Sequence, residues 1–94
     1  MKECWLCGRY GNTERHHIFG GNGRRRKSEK LGLVVDLCHA CHNEPPSKAR
    51  HFEGGVHFNA EAMQKLHEFG QRKAMEEQGW TVEDFIREFG KSYT

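Results

Sequence analysis

The sequence predicts a small α+β domain: a metal-stapled front of short strands and a short helix, followed by a helical back. Three observations carry that reading. Two Cys-x-x-Cys pairs, Cys4/Cys7 and Cys38/Cys41, are separated by thirty residues. A strand-like run, Leu33-Val34-Val35-Asp36-Leu37, leads directly into the second pair. A capped, amphipathic helical pattern begins only after Asn59. A chain of 94 residues suits one domain over 1–94, with a core at 4–58 and a helical extension at 59–91.

The elements follow in order. Cys4 to Gly8 reads as a knuckle, with Gly8 allowing the tight turn after the second cysteine. Thr13 to Phe19 forms a short strand, ended by Gly20-Gly21-Asn22-Gly23. The basic stretch through Lys30 is polar and is expected as a loop, and Leu31 to Leu37 as a second strand. A short helix begins around Cys38–Cys41 and cannot pass Pro45-Pro46. Lys48 to Phe58 is irregular, broken by Gly54-Gly55. Asn59 caps a helix over 60–78, with Met63, Leu66, Phe69 and Ala74 as its apolar stripe and Gly79 as its stop. Thr81-Val82-Glu83-Asp84 resembles a capping box opening a last short helix, with Phe85, Ile86 and Phe89 inside and Gly90 after it. Trp80 fits either a buried anchor or a partner surface, and Tyr93 carries no signal.

Composition narrows the class. The chain is 35% hydrophobic and 30% charged, and small domains of this kind often add a metal or a disulfide to their core. A net charge of +2 does not by itself demand a nucleic-acid partner, so distribution matters more. Arg24-Arg25-Arg26-Lys27 is contiguous, and Glu76, Glu77, Glu83 and Asp84 lie late in the chain. Met1-Lys2-Glu3-Cys4 lacks the apolar core of a secretion signal, and no stretch is long enough to span a bilayer. The expectation is a reducing, cytoplasmic setting, where paired Cys-x-x-Cys motifs read as a metal site.

Zinc prefers four ligands in a tetrahedron, and Cys4, Cys7, Cys38 and Cys41 would close such a site with no position left for catalysis. The competing readings are a redox dithiol or four separate buried thiols. The long segment between the clips contains His16-His17, two of seven histidines in the chain. Neighbours on a strand point to opposite faces, so one imidazole can bind a metal while the other faces water. His42 lies one residue past the second clip, where a zinc site would fix it, and His57 is the best further candidate for a second metal. His39 and His51 are alternatives, and His67 is expected on a helix surface.

This arrangement resembles the HNH endonuclease family, the ββα-metal fold. The resemblance rests on Cys4-Trp5-Leu6-Cys7, on His16-His17-Ile18-Phe19-Gly20-Gly21, and on Leu37-Cys38-His39-Ala40-Cys41-His42-Asn43. The His-His-Ile-Phe-Gly-Gly form and the tail from Trp80 to Gly90 are also similar to phage and prophage recombination nucleases of the RecA-dependent nuclease group. The resemblance implies that His16 and His42, with His57, ligate a catalytic divalent ion, and that His17 is the general base. The family's middle asparagine, which braces the base, falls here at Leu33; Asn22, Ser28, Asp36 and Asn59 are the candidate replacements.

The implied activity is endonucleolytic hydrolysis of DNA to 5′-phosphate and 3′-hydroxyl ends, as nicks with little sequence specificity, by a monomer or weak dimer. An all-imidazole site suits Mn²⁺, Ni²⁺ or Zn²⁺, and Mg²⁺ can serve with phosphate and water ligands. Arg24, Arg25, Arg26 and Lys27 are the expected phosphate contacts, with Lys48 and Arg50 extending them. A recombination protein is a conceivable director of cleavage. The alternative is a non-catalytic zinc module that binds nucleic acid or a protein.

Overall fold

In a computed structural model, residues 2–21, 23–49 and 51–94 are described. Asn22 and Arg50, two of the residues named above, lie outside them. The described residues form an α+β structure with two two-stranded sheets and four helices. The elements run β1 (Lys2–Glu3), β2 (Tyr10–Gly11), β3 (Glu14–His17), α1 (Arg24–Leu31), β4 (Val34–Leu37), α2 (His39–Asn43), α3 (Ala60–Gln78) and α4 (Val82–Phe89). β1 pairs antiparallel with β2, Lys2 opposite Gly11 and Glu3 opposite Tyr10, and β3 pairs with β4. Among the described residues no helix is long and apolar enough to cross a membrane.

The chain divides into two units, Met1–His16 with Val35–Met63, and His17–Val34 with Gln64–Thr94. In the first, the β1–β2 hairpin holds the knuckle closed: Cys4 N–H donates to Arg9 C=O at 2.9 Å and Gly8 N–H to Cys4 C=O at 2.9 Å. Trp5 N–H donates to Asp36 C=O at 2.8 Å, which ties the knuckle to β4. Val35, Leu37, Val56 and Ala62 are the buried aliphatic residues of this unit. Asn59 caps α3 as expected, its Oδ1 accepting the Ala62 N–H at 3.2 Å.

The second unit contains the largest departure from expectation. Residues 24–31, expected as a loop, form the helix α1. Every residue there tolerates a helix, and Gly32 closes it with φ 73, its N–H shared between Glu29 and Ser28 carbonyls. The pattern is nearly all polar because the residue that α1 buries is Ser28. The Ser28 hydroxyl accepts from Phe19 N–H at 3.1 Å and donates to Phe19 C=O at 3.0 Å, so a polar anchor replaces the usual apolar stripe.

Phe19 is the hub of this unit's core. Its ring lies 4.7 Å from Phe89, 5.5 Å from Phe85, 5.4 Å from His67 and 5.4 Å from Tyr93, centroid to centroid. His67, expected on a helix surface, is half-buried and stacks on the Phe19 ring. Gly70 admits this packing, since a Cβ there would meet Ile18 Cγ2 at 2.5 Å. Tyr93 also has a place: its N–H donates to the buried Gln71 Oε1 at 2.6 Å, which fastens the C-terminal residues to α3.

The capping box of α4 forms as expected, with Asp84 N–H donating to Thr81 Oγ1 at 3.2 Å and Thr81 N–H to Asp84 Oδ2 at 3.0 Å. Phe85 and Phe89, one helical turn apart, are buried; Ile86 is turned away and stands 39% exposed, against expectation.

Candidate metal centres

Both candidate metal centres belong to the first unit. The sulfurs of Cys4, Cys7, Cys38 and Cys41 all lie within 4.8 Å of one another. The Cys7 and Cys38 sulfurs are 3.8 Å apart. Ligands about 2.3 Å from a tetrahedral zinc ion stand ~3.8 Å from each other, so the spacing fits that ion. All four thiols are free.

The local electrostatics fit as well. Burial pushes the Cys4 thiol up, but N–H groups of Cys7, Cys38 and Leu6 outweigh it and bring the thiol down to about 6. Burial first, and then the neighbouring thiols, push Cys41 up. Cys7 is lowered by the Arg9 N–H and more than offset by burial and by Cys4, for a net rise. Sulfurs crowded in this way cannot all ionise without a cation among them, and a zinc-like dication could supply that charge.

The second cluster is made of imidazoles. His16 on β3, His42 on α2 and His57 in the following loop offer ring nitrogens within 4.8 Å of one another. His16 Nδ1 lies 3.3 Å from His42 Nε2. Two nitrogens about 2.0–2.1 Å from one tetrahedral ion would be ~3.3 Å apart, so this donor set fits a borderline divalent metal. Burial, and then the charge of His42, lowers the pKa of His57 and favours the neutral form that ligates.

The loop that delivers His57 works because of Gly55. A Cβ at this position would meet Ala40 O and His42 C at 2.7 Å and Cys41 C at 2.8 Å. The bare glycine lets this loop pass close along the α2 backbone. Val56 N–H donates to Cys41 C=O at 2.7 Å, and His57 N–H to His42 C=O at 3.4 Å. Pro45-Pro46 ends α2 without preventing this return.

Glu14 belongs to none of the sequence motifs. It lies two residues before His16 on β3, hence on the same face. Its carboxylate accepts from His42 Nδ1 at 2.8 Å and from His39 Nδ1 at 3.1 Å. Those two hydrogen bonds, His42 foremost, hold the Glu14 carboxyl below its ordinary pKa. His39 is thus a partner of Glu14 and stands outside the imidazole cluster, and His51 lies in an exposed loop with φ 51.

In the second unit, His17 Nε2 meets Glu29 Oε2 at 2.9 Å. Glu29, from α1, is the group beside this imidazole, and the described candidates Ser28, Asp36 and Asn59 have other partners. Ser28 holds Phe19, Asp36 pairs with Lys2 at 3.8 Å and Asn59 caps α3. Leu33 is fully buried.

Pairing Glu29 with His17 depends on 24–31 being a helix. An open groove of about 750 Å³ is lined by His17, Glu29, Arg25, Arg26 and Lys30. Helical periodicity divides the basic run. Lys27 instead donates to Glu88 C=O at 2.6 Å and pairs with its carboxylate at 3.5 Å, and the Arg24 guanidinium stands against Gly90. Lys48 lines a different groove, in the first unit, with Pro46 and Phe52.

No family model, curated protein or solved structure matches this chain.

Proposed function

We propose that the chain is a metal-dependent DNA endonuclease of the HNH type, with a structural zinc held by Cys4, Cys7, Cys38 and Cys41. The observation that carries this reading is the imidazole triad His16, His42 and His57, a three-ligand set standing apart from the four-thiol cluster. Three protein ligands leave positions for phosphate and water, whereas four thiolates close a site. A divalent ion bound there, Mg²⁺, Mn²⁺, Ni²⁺ or Zn²⁺, would supply a Lewis acid for a phosphate oxygen and the departing 3′ oxygen.

The chain's own groups supply the remaining chemistry. An ionised Glu29 accepts only, so its contact at 2.9 Å puts the His17 proton on Nε2 and leaves Nδ1 as the basic atom. His17 Nδ1 takes the proton from the attacking water, and Glu29 stabilises the imidazolium that results. Arg25, Arg26 and Lys30 hold phosphates of the DNA backbone, fixing register without reading bases. As water's oxygen bonds to phosphorus the P–O3′ bond breaks, and the departing 3′ oxygen is protonated from solvent, giving a 5′-phosphate and a 3′-hydroxyl; one such centre nicks one strand. A role in phage-type recombination, with a partner protein directing cleavage, follows from the family resemblance alone.

The burial of Leu33 at the place of the family's asparagine supports a second reading, a non-catalytic zinc module that retains nucleic acid or a protein partner. Incubation with supercoiled plasmid and Mn²⁺ or Mg²⁺ separates the two. The endonuclease converts plasmid to the nicked form and stops on chelation. Retention of DNA with no metal-dependent cleavage selects the second reading.

A further inference from the structure

We propose that Glu14 is a positioning residue for the imidazole metal centre: its carboxylate holds His42 in the Nδ1–H tautomer, so that Nε2 is the atom offered to a divalent ion. The inference rests on the metal-binding part of the proposed function and extends it to a residue that no motif marks.

The geometry carries it. An ionised carboxylate has no proton to donate, so the 2.8 Å contact with His42 Nδ1 and the 3.1 Å contact with His39 Nδ1 both require N–H on the imidazole. With Nδ1 of His42 engaged, its lone pair sits on Nε2, the atom 3.3 Å from His16 Nδ1. His39 is the exposed member, side chain 66% accessible, and clamps the second carboxylate oxygen from outside. The carboxylate therefore fixes both the tautomer and the ring orientation of His42, which raises the ring's strength as a ligand. Glu14 and His16 share a face of β3, so one strand supplies a ligand and the brace for another ligand.

The test uses the full chain loaded with one equivalent of zinc, Co²⁺ as the probe, and the variants Glu14→Ala, Glu14→Gln and His39→Ala. Long-range ¹H–¹⁵N correlation before Co²⁺ is added reports the His42 tautomer, and visible absorption during titration reports the imidazole-bound ion. Wild type is expected to show the Nδ1–H tautomer. Glu14→Ala is expected to lose that preference and bind Co²⁺ about 10–100-fold more weakly. Glu14→Gln, which keeps an acceptor, should fall between, and His39→Ala should stay within about threefold of wild type. Unchanged tautomer in Glu14→Ala overturns the proposal, whatever the affinity does. Absence of imidazole-bound Co²⁺ in wild type would remove the metal reading itself, and the tautomer measurement still decides whether Glu14 positions His42.

Discussion

His17 Nε2 and Glu29 Oε2 stand 2.9 Å apart, joining the last residue of β3 to the helix α1 that follows it. If His17 is the base, as proposed, this contact would orient it in a chain where Leu33 stands at the place of the asparagine in the family that the sequence resembles. Glu29→Ala is expected to slow nicking about tenfold or more by freeing the ring to rotate and removing the partner of the imidazolium. Glu29→Gln, whose amide oxygen still accepts from Nε2–H, should retain most of the rate. Single-turnover cleavage at saturating protein checks this, with circular dichroism confirming that α1 persists in both variants.

Gly55 should tolerate no side chain. An alanine Cβ would press on three backbone atoms of α2 at 2.7–2.8 Å, and backbone cannot rotate away. Gly55→Ala is expected to cost about 1–3 kcal/mol in denaturant unfolding. It should also weaken metal at the imidazole centre, since His57 follows two residues later.

The basic run should divide functionally as its helix divides it. Arg25→Ala with Arg26→Ala is expected to weaken DNA retention at all sequences and to lower the slope of log affinity against log salt by about 0.9 for each phosphate no longer neutralised. Lys27→Ala should leave that slope unchanged and lower stability instead, because the ammonium that donates to the Glu88 carbonyl at 2.6 Å is gone. Filter binding across a salt series, with thermal melts of the same samples, reads both.

The α4 cap gives an acid-sensitive contribution whose sign is fixed. The Thr81 N–H holds the Asp84 carboxyl below its ordinary pKa. A group depressed in the folded state stabilises above its unfolded pKa and loses that contribution as pH falls through the folded one. Wild type and Asp84→Ala should therefore differ in stability at pH 6, and the difference should shrink as pH falls below the ordinary carboxylate range. Thr81→Ala removes the other half of the box and should cost about 1 kcal/mol.

The legible parts of the molecule are those with a regular signal. Paired cysteines at equal spacing announce their cluster, Asn59 and Thr81 announce their helices, and His16, His42 and His57 do gather. Two acids that contact histidines, Glu14 beside His42 and His39 and Glu29 beside His17, are less legible, for different reasons. Glu14 shares a strand face with His16, a period-two relation that becomes informative only once His42 and His39 are known to lie across from it. Glu29 is hidden because α1 buries a serine rather than an apolar stripe, so periodicity registers a loop. His67 and Tyr93 carry no local signal because their partner, Phe19, is distant in sequence and reaches them only through the tertiary packing of one unit.

The assignment of His17 as the base of a DNA endonuclease is decided by plasmid nicking in Mn²⁺ with wild type and His17→Ala, zinc content being measured on the same two samples. One zinc per chain is expected in both, with nicking by wild type and a loss of about 10²–10⁴ in rate for the variant. Equal nicking by His17→Ala with its zinc intact would contradict the assignment of the base. A wild type that holds zinc and cuts no DNA with any divalent ion would contradict the endonuclease reading as a whole.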